Sequence, residues 1–272
     1  MSLPPPLKLG FVGYGTIAHS IAAGLLSQPA FEVKSVHVSR RSAAKSAAIK
    51  AQHPGKVTVC DDNQAVVDAA DLVFLCVLPA LYEEVLAGLE FGERHTLVSL
   101  VSTSTLARLR ECSRLPAERA FKMICLPSVA TRDGTCLLVP PSPPLKAVLD
   151  TLGGCVCCAT EKIMTTMMIP ACLMGPYYRV LQQNRDWMVA NGVPEEDASY
   201  FVGRTYLGIA KDAEASCADP KHFDALIAEQ TPGGINEQSI QNLERLGAFK
   251  GYGEACDGIL ERLEGRGDGN RG

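Results

Sequence analysis

Residues 7–24 read LKLGFVGYGTIAHSIAAG, and this stretch decides the fold. Leu9, Phe11 and Val12 make a short apolar run that stops at Gly13-Tyr14-Gly15-Thr16-Ile17-Ala18. A helical spacing follows, with Ile17, Ile21 and Leu25 at i, i+4 and i+8. Strand, Gly-rich turn and helix in that order open a βαβ dinucleotide-binding unit. Gly13 allows the tight turn, Gly15 has no Cβ to obstruct a pyrophosphate, and Ala18 lets helix and strand pack closely. The helix start, from Thr16 and Ile17 onward, offers free N–H groups and a partial positive charge to phosphate. The competing reading is an ordinary tight turn between strand and helix. Its position near the chain start, between those two elements, favours cofactor binding.

At 272 residues the chain suits one large or two modest domains. A formal net charge of −4 gives no broad basic field, so neither nucleic acid nor an anionic membrane is expected as a partner. Residues 1–6 carry no charged leader and no long apolar segment, which speaks against a secretory signal. The longest charge-free stretch, residues 163–178, is too short to span a membrane and contains Pro170, Gly175 and Pro176. A cytoplasmic protein is expected. Eleven cysteines, an odd number scattered through apolar segments, read as buried thiols in a reducing compartment. Cys155-Val156-Cys157-Cys158 contains a Cys-x-x-Cys but has no second ligand pair at zinc spacing, so packing is the favoured role. No metal is expected, and none of the five histidines is assigned to chemistry.

The second strand, residues 33–38, ends in Ser39-Arg40-Arg41-Ser42. A fold that selects NAD carries Asp or Glu here for the ribose 2′-OH. A hydroxyl and two guanidiniums suit a 2′-phosphate instead, so NADP is expected over NAD. The alternative is a solvated Arg pair opening a helix over 42–53. Further strands are expected at 57–59, 71–77, 97–101, 121–125, 136–139 and 155–158. Helices are expected around 64–69, 80–88, 145–152 and from a Ser102-Thr103-Ser104 cap through 110. This alternation is a doubly wound, Rossmann-type α/β domain over residues 7–160.

From residue 161 the pattern turns all-helical, giving a second domain over 161–263. Residues 163–190 form a long helical pattern with possible bends at Pro170 and Gly175-Pro176. Its charge-free first half needs cover on every side, which implies burial between subunits. Helices follow at 195–215, 222–230, from Thr231-Pro232-Gly233-Gly234-Ile235-Asn236 through about 246, and at 252–263. Residues 264–272 are Gly-rich and expected to be disordered.

The two Gly-rich stretches and the helical second half together resemble pyrroline-5-carboxylate reductase over residues 7–262. GFVGYGTIA is similar to the family's cofactor turn, and Ser39-Arg40 to its 2′-phosphate site. Asn63 matches an Asn beside the adenine ribose. Cys76-Val77-Leu78-Pro79 stands where the family has Ala-Val-Lys-Pro, and Leu100-Val101-Ser102 where it has Ala-Ala-Gly near the nicotinamide. Gly175-Pro176-Tyr177-Tyr178 parallels the family's Gly-Pro-Ala-Tyr on a long interface helix. Thr231-Pro232-Gly233-Gly234-Ile235-Asn236, with Leu243-Glu244-Arg245-Leu246-Gly247, resembles its Pro-Gly-Gly-Thr-Thr…Leu-Glu-x-x-Gly signature. The resemblance implies an NADPH-dependent reductase of a cyclic imine acid that works as a homodimer or larger homo-oligomer. It also implies that Gly175, Pro176, Gly233, Gly234, Ile235 and Asn236 bind substrate, with Asn236 as the catalytic residue near the reacting nitrogen. The chain departs from the family at Asn236 (Thr), at Leu78 (Lys) and at Ile124-Cys125-Leu126-Pro127, where the family has Met-Pro-Asn-Thr-Pro. These departures leave open another imine as substrate, or an NADP-binding regulatory role without turnover. A β-hydroxyacid dehydrogenase of similar build is disfavoured, because residues 163–190 contain no lysine for its acid/base.

Overall fold

The computed structural model describes residues 6–28, 32–40 and 42–266. Arg41 and the end of the Gly-rich tail, residues 267–272, lie outside them.

The first unit alternates strand and helix. Its elements are β1 (Leu7–Val12), α1 (Thr16–Ser27), β2 (Val33–Ser39), α2 (Ala43–Gln52), β3 (Val57–Cys60), α3 (Asn63–Asp68), β4 (Leu72–Leu75), α4 (Tyr82–Ala87), β5 (Thr96–Ser99), α5 (Leu106–Ser113), β6 (Ala120–Cys125), β7 (Cys136–Val139), α6 (Pro143–Asp150), β8 (Cys155–Cys157) and α7 (Glu161–Met168). The strands form one sheet in the order β3-β2-β1-β4-β5-β6-β7-β8. All neighbours are parallel except β6 and β7, where Cys125 stands opposite Cys136. The strand order reverses between β1 and β4, which makes their carboxyl ends the expected mouth of a binding crevice.

Every residue of β4 is buried because the sheet is covered on both faces. Leu72 and Phe74 join the layer of α1, α2 and α6, with Phe74 stacked on Phe11 at 5.0 Å between ring centres. Val73 and Leu75 join the opposite layer of α3, α4, α5 and α7. Asp62 caps α3 by accepting the Ala65 N–H at 2.8 Å. The cap of α5 is Thr105, which accepts from Arg108 N–H at 3.1 Å, and not the Ser102–Ser104 triplet. Those residues form the loop before it.

The single helix expected over 163–190 is divided. Pro170 cannot donate an N–H, and a 3-10 turn at Pro170–Leu173 separates α7 from α8 (Met174–Ala190). The first compact unit runs to Met168, past the boundary expected at residue 160. The reason lies in α7 itself: Met164 is 2% exposed within the sheet's second core layer, and Met168 packs against the same layer. Part of the charge-free stretch is thus covered by its own domain rather than awaiting a second subunit.

The second unit, Ile169–Gly272, holds α8, α9 (Glu195–Ala215), α10 (His222–Ala228), α11 (Ile235–Arg245) and α12 (Ala248–Leu263). Gly247, at φ +74°, ends α11, and α12 starts earlier than the expected residue 252. Asn184 Nδ2 donates to the Tyr206 hydroxyl at 2.9 Å, joining α8 to α9. Among the described residues of this unit, only Ile169, Ala198, Val202 and His222 are buried. Its other apolar side chains lie on partly or fully exposed helix faces.

Gly24 is a tight point of the first unit's core. A Cβ there would stand 2.3 Å from the Val129 carbonyl oxygen and 2.6 Å from Leu152 Cδ2. Gly24→Ala is therefore expected to lower stability by about 1–3 kcal/mol, as overpacking does, despite alanine's better helix propensity. Urea denaturation monitored by circular dichroism measures this, and an unchanged midpoint would contradict the packing.

Candidate active site

The carboxyl ends of β1, β4, β5 and β6 and the start of α1 enclose a cavity of about 340 Å³. Its lining comes from Gly15 to Ala18, from Cys76 and Val77, from Leu100 and Ser102, and from residues 123–125. The turn beneath it is fixed from two sides. Gly13 adopts φ +83°, and a Cβ there would meet the Cys76 carbonyl oxygen at 2.7 Å, so no other residue fits. Its N–H donates to the buried Ser39 hydroxyl at 3.0 Å, tying the end of β1 to the end of β2.

The start of α1 is electrostatically open. It has no side-chain cap and no acidic residue in its first turn. The space where a Cβ on Gly15 would stand is free of neighbouring atoms. A nicotinamide dinucleotide fits this cradle: unpaired N–H groups face the cavity, and nothing negative competes for them. The remaining lining is mostly apolar. Burial pushes the Cys76 thiol far above its ordinary range, with Cys125 adding to the shift. At neutral pH Cys76 therefore offers no nucleophilic thiolate, and the lining holds no His, Asp or Glu to act as a general base.

The loop over residues 101–104 is pinned to the sheet. Ser99 Oγ accepts the Val101 N–H at 3.2 Å, and Ser104 Oγ donates to the Val101 carbonyl at 2.9 Å. From β6, the buried Lys122 ammonium donates to the Ser104 carbonyl, to the Ser102 carbonyl at 3.5 Å and to Glu161 Oε1 at 3.0 Å. The same Glu161 oxygen accepts the Leu106 N–H at 2.9 Å. One buried lysine thus secures the loop that carries Ser102 into the cavity.

Of the expected cofactor residues, Gly15, Thr16, Ile17, Ala18, Val77 and Ser102 line the cavity. Gly13, Ser39 and Val101 lie behind it as buried supports. Arg40, Leu78 and Pro79 are exposed outside the lining, and Asn63 is half-buried as the first residue of α3. Leu100, from the stretch expected near the nicotinamide, and Met123, Ile124 and Cys125 line the cavity too without having been expected as cofactor residues; they follow or end β5 and β6, at the same carboxyl edge of the sheet. Lys45 was also missed. From the first turn of α2 it donates to Thr16 Oγ1 at 2.6 Å, placing a cation at the start of α1.

In the second unit, Gly233 adopts φ +72° and Gly234 caps α11. The Gly234 N–H donates to the Thr231 carbonyl at 2.8 Å, and the Gly233 N–H to Glu237 Oε2 at 2.6 Å. Asn236 Nδ2 donates to Gln230 Oε1 at 2.9 Å. Two of the four N–H groups expected to meet a substrate carboxylate are therefore already bonded within the chain. Gly175 and Pro176 are exposed in the first turn of α8.

Comparison with known proteins matches both halves. A family model described as NADP oxidoreductase, coenzyme F420-dependent, covers residues 8–103. One described as pyrroline-5-carboxylate reductase dimerisation covers residues 160–265. Both halves of the chain, at low identity, are thus similar to pyrroline-5-carboxylate reductases. Relatives include pyrroline-5-carboxylate reductase 3 of Danio rerio, 26% identical over 96% of this chain and 90% of the relative. The Escherichia coli pyrroline-5-carboxylate reductase is 23% identical over 94% and 97%. Among solved structures, the Plasmodium falciparum pyrroline carboxylate reductase with NADP bound superposes with a TM-score of 0.76, at 18% identity over 97% of this chain and 99% of that one. No helix among the described residues is long and apolar enough to cross a membrane.

Lys122 provides the test of how the site is held. Lys122→Met leaves Glu161 without its cation and is expected to cost about 2–4 kcal/mol, less than a fully buried pair because Glu161 is 34% exposed. Adding Glu161→Gln should recover part of that loss in thermal unfolding. Strictly additive losses would show that the two side chains do not interact.

Proposed function

We propose that the chain is an NADPH-dependent reductase of cyclic imine acids, with pyrroline-5-carboxylate, reduced to proline, as the substrate, acting in the cytoplasm. The observation that carries this reading is the open cradle at the start of α1, above an otherwise apolar cavity. Such a site supplies no acid, base or nucleophile of its own and suits a reaction whose chemistry arrives with a bound donor. When bound, the nicotinamide dinucleotide supplies a hydride to the carbon of the C=N bond.

The chain's residues do the holding. The N–H groups at the start of α1 take the pyrophosphate, with the Lys45 ammonium beside them. Ser39 and Arg40, together with Arg41, take the 2′-phosphate, while the Gly13–Ser39 bond sets the distance between the two phosphate sites. Ser102, fixed by Lys122, and Val77 hold the nicotinamide end, with Leu78-Pro79 and Val101 supporting them. In the second domain, Gly175, Pro176 and the turn Gly233-Gly234-Ile235-Asn236 bind the substrate. With Gly233 and Gly234 already bonded, the N–H groups of Ile235 and Asn236 remain to anchor an anion. Asn236 spends one amide hydrogen on Gln230 and keeps a second to donate toward the reacting nitrogen. An imine protonated by water needs no further acid, and positioning accounts for most of the acceleration.

The scarcity of buried residues in the second domain supports assembly with another copy of the chain. Tyr200 is 72% exposed and Phe201 59% exposed on α9, an arrangement that isolated helices in water do not sustain. A dimer or larger homo-oligomer is expected in light scattering at micromolar concentration. Phe201→Asp should shift it toward smaller species, and a stable monomer of the unmutated chain would refute the assembly.

NADPH oxidation scanned over a panel of cyclic imines tests the reaction. For the cofactor, Arg40→Ala should weaken NADPH binding roughly ten- to hundredfold, the scale of one lost charge-assisted hydrogen bond, and leave NADH nearly unaffected. Equal losses for both cofactors would remove Arg40 from the 2′-phosphate site.

A further inference from the structure

Glu237 lies in the first turn of α11 and bends its carboxylate back onto the turn that precedes the helix. The 2.6 Å bond from the Gly233 N–H to Glu237 Oε2 is short, as charge-assisted bonds are. An ordinary capping carboxylate at this helical position bonds the N-cap N–H. Here the N-cap is Gly234, whose N–H already donates to Thr231, and the left-handed Gly233 presents its own N–H instead. Among the described residues no Lys, Arg or His nitrogen stands within 4.0 Å of the Glu237 carboxylate, so no described cation pairs with it. A fixed negative charge thus occupies the turn that would otherwise take a substrate's carboxylate.

We propose that Glu237 is a specificity-determining residue. Its carboxylate takes, from within the chain, one of the backbone donors that a substrate carboxylate would use. It repels a second carboxylate brought to the same turn and attracts a protonated, cationic imine. The chain therefore discriminates against carboxylate-bearing cyclic imines in favour of carboxylate-free ones, relative to a version of itself without this charge. Pyrroline-5-carboxylate then binds through the remaining N–H groups of Ile235 and Asn236 with a raised KM. The inference rests on the reading that this turn anchors the substrate.

The test compares Glu237→Gln with the unmutated chain. Glutamine keeps an acceptor oxygen for the Gly233 N–H and removes the charge, so the turn and the fold should persist. Steady-state kinetics at saturating NADPH are measured with pyrroline-5-carboxylate and with 1-pyrroline, the same ring without its carboxylate. In parallel, calorimetry measures L-proline and pyrrolidine binding to the NADP-loaded protein. The expected result is a KM for pyrroline-5-carboxylate that falls about fivefold relative to any change for 1-pyrroline, the scale of one exposed charge pair. L-proline should tighten by a similar factor relative to pyrrolidine. Equal shifts for the carboxylate-bearing and the carboxylate-free ligands, or none, overturn the proposal and leave Glu237 an ordinary helix cap. L-proline bound by neither protein, with 1-pyrroline still reduced, overturns both the proposal and the anchoring turn while the imine reductase reading survives. NADPH oxidation with neither ring, despite L-proline binding that tightens in the variant, would instead refute the reductase reading and uphold the charge effect.

Discussion

The hydrogen bond from Gly13 to Ser39 is the constraint on which the first domain's site depends. Gly13 must adopt a left-handed conformation because the Cys76 carbonyl passes 2.7 Å from where a Cβ would be. That conformation directs its N–H to the Ser39 hydroxyl at the end of the neighbouring strand. A single backbone turn thereby fixes the ends of β1, β2 and β4 relative to one another. The start of α1 follows directly from it, with its free N–H groups at the cavity. On the proposed reading, phosphate recognition in this domain is a property of the backbone first, and Arg40 and Lys45 add charge to a geometry already set.

The cavity's chemistry follows from the same economy of polar groups. A sheet covered on both faces leaves apolar side chains at its strand ends, and burial keeps the Cys76 thiol protonated. Ser102 reaches the cavity on a loop held by Ser99, by Ser104 and by Lys122, whose three acceptors lie on two separate segments. The buried lysine has a structural task here, although lysines in such settings often serve as acids or bases. Its ammonium is engaged by carbonyls and by Glu161 and does not face the cavity lining.

Much of this was legible in the sequence, for identifiable reasons. The Gly-x-Gly-x-x-Ala turn and the absence of an acidic residue after β2 are local signals, and the alternation of apolar strands with helices is periodic; all three survive without tertiary information. The antiparallel β6–β7 pair and the reach of α7 into the first core were not legible, because the apolar runs do not encode direction or partner. The long helix over 163–190 looked continuous because helical spacing persists through Pro170, whereas the missing N–H breaks it. Lys45 was invisible for a different reason: its meeting with Thr16 joins residues 29 apart in sequence. Glu237 read as one more polar residue on a helix, and only the left-handed Gly233 shows where its carboxylate turns.

The second domain stands on the opposite balance. Its helices carry apolar residues at helical spacing, have no side-chain caps and bury almost nothing by themselves, so their stability must come from apolar faces covered elsewhere. On the proposed function, a nicotinamide dinucleotide held in the first domain's backbone cradle would supply a hydride to a carbon–nitrogen double bond. Deuterium transfer tests it most directly: the purified protein is given NADPH labelled at the transferable position of C4, with a cyclic imine, and the product amine is analysed by mass spectrometry. The label should appear on the carbon of the former C=N bond. Label retained in the cofactor, with the imine unreduced although NADPH is bound, would contradict the claim.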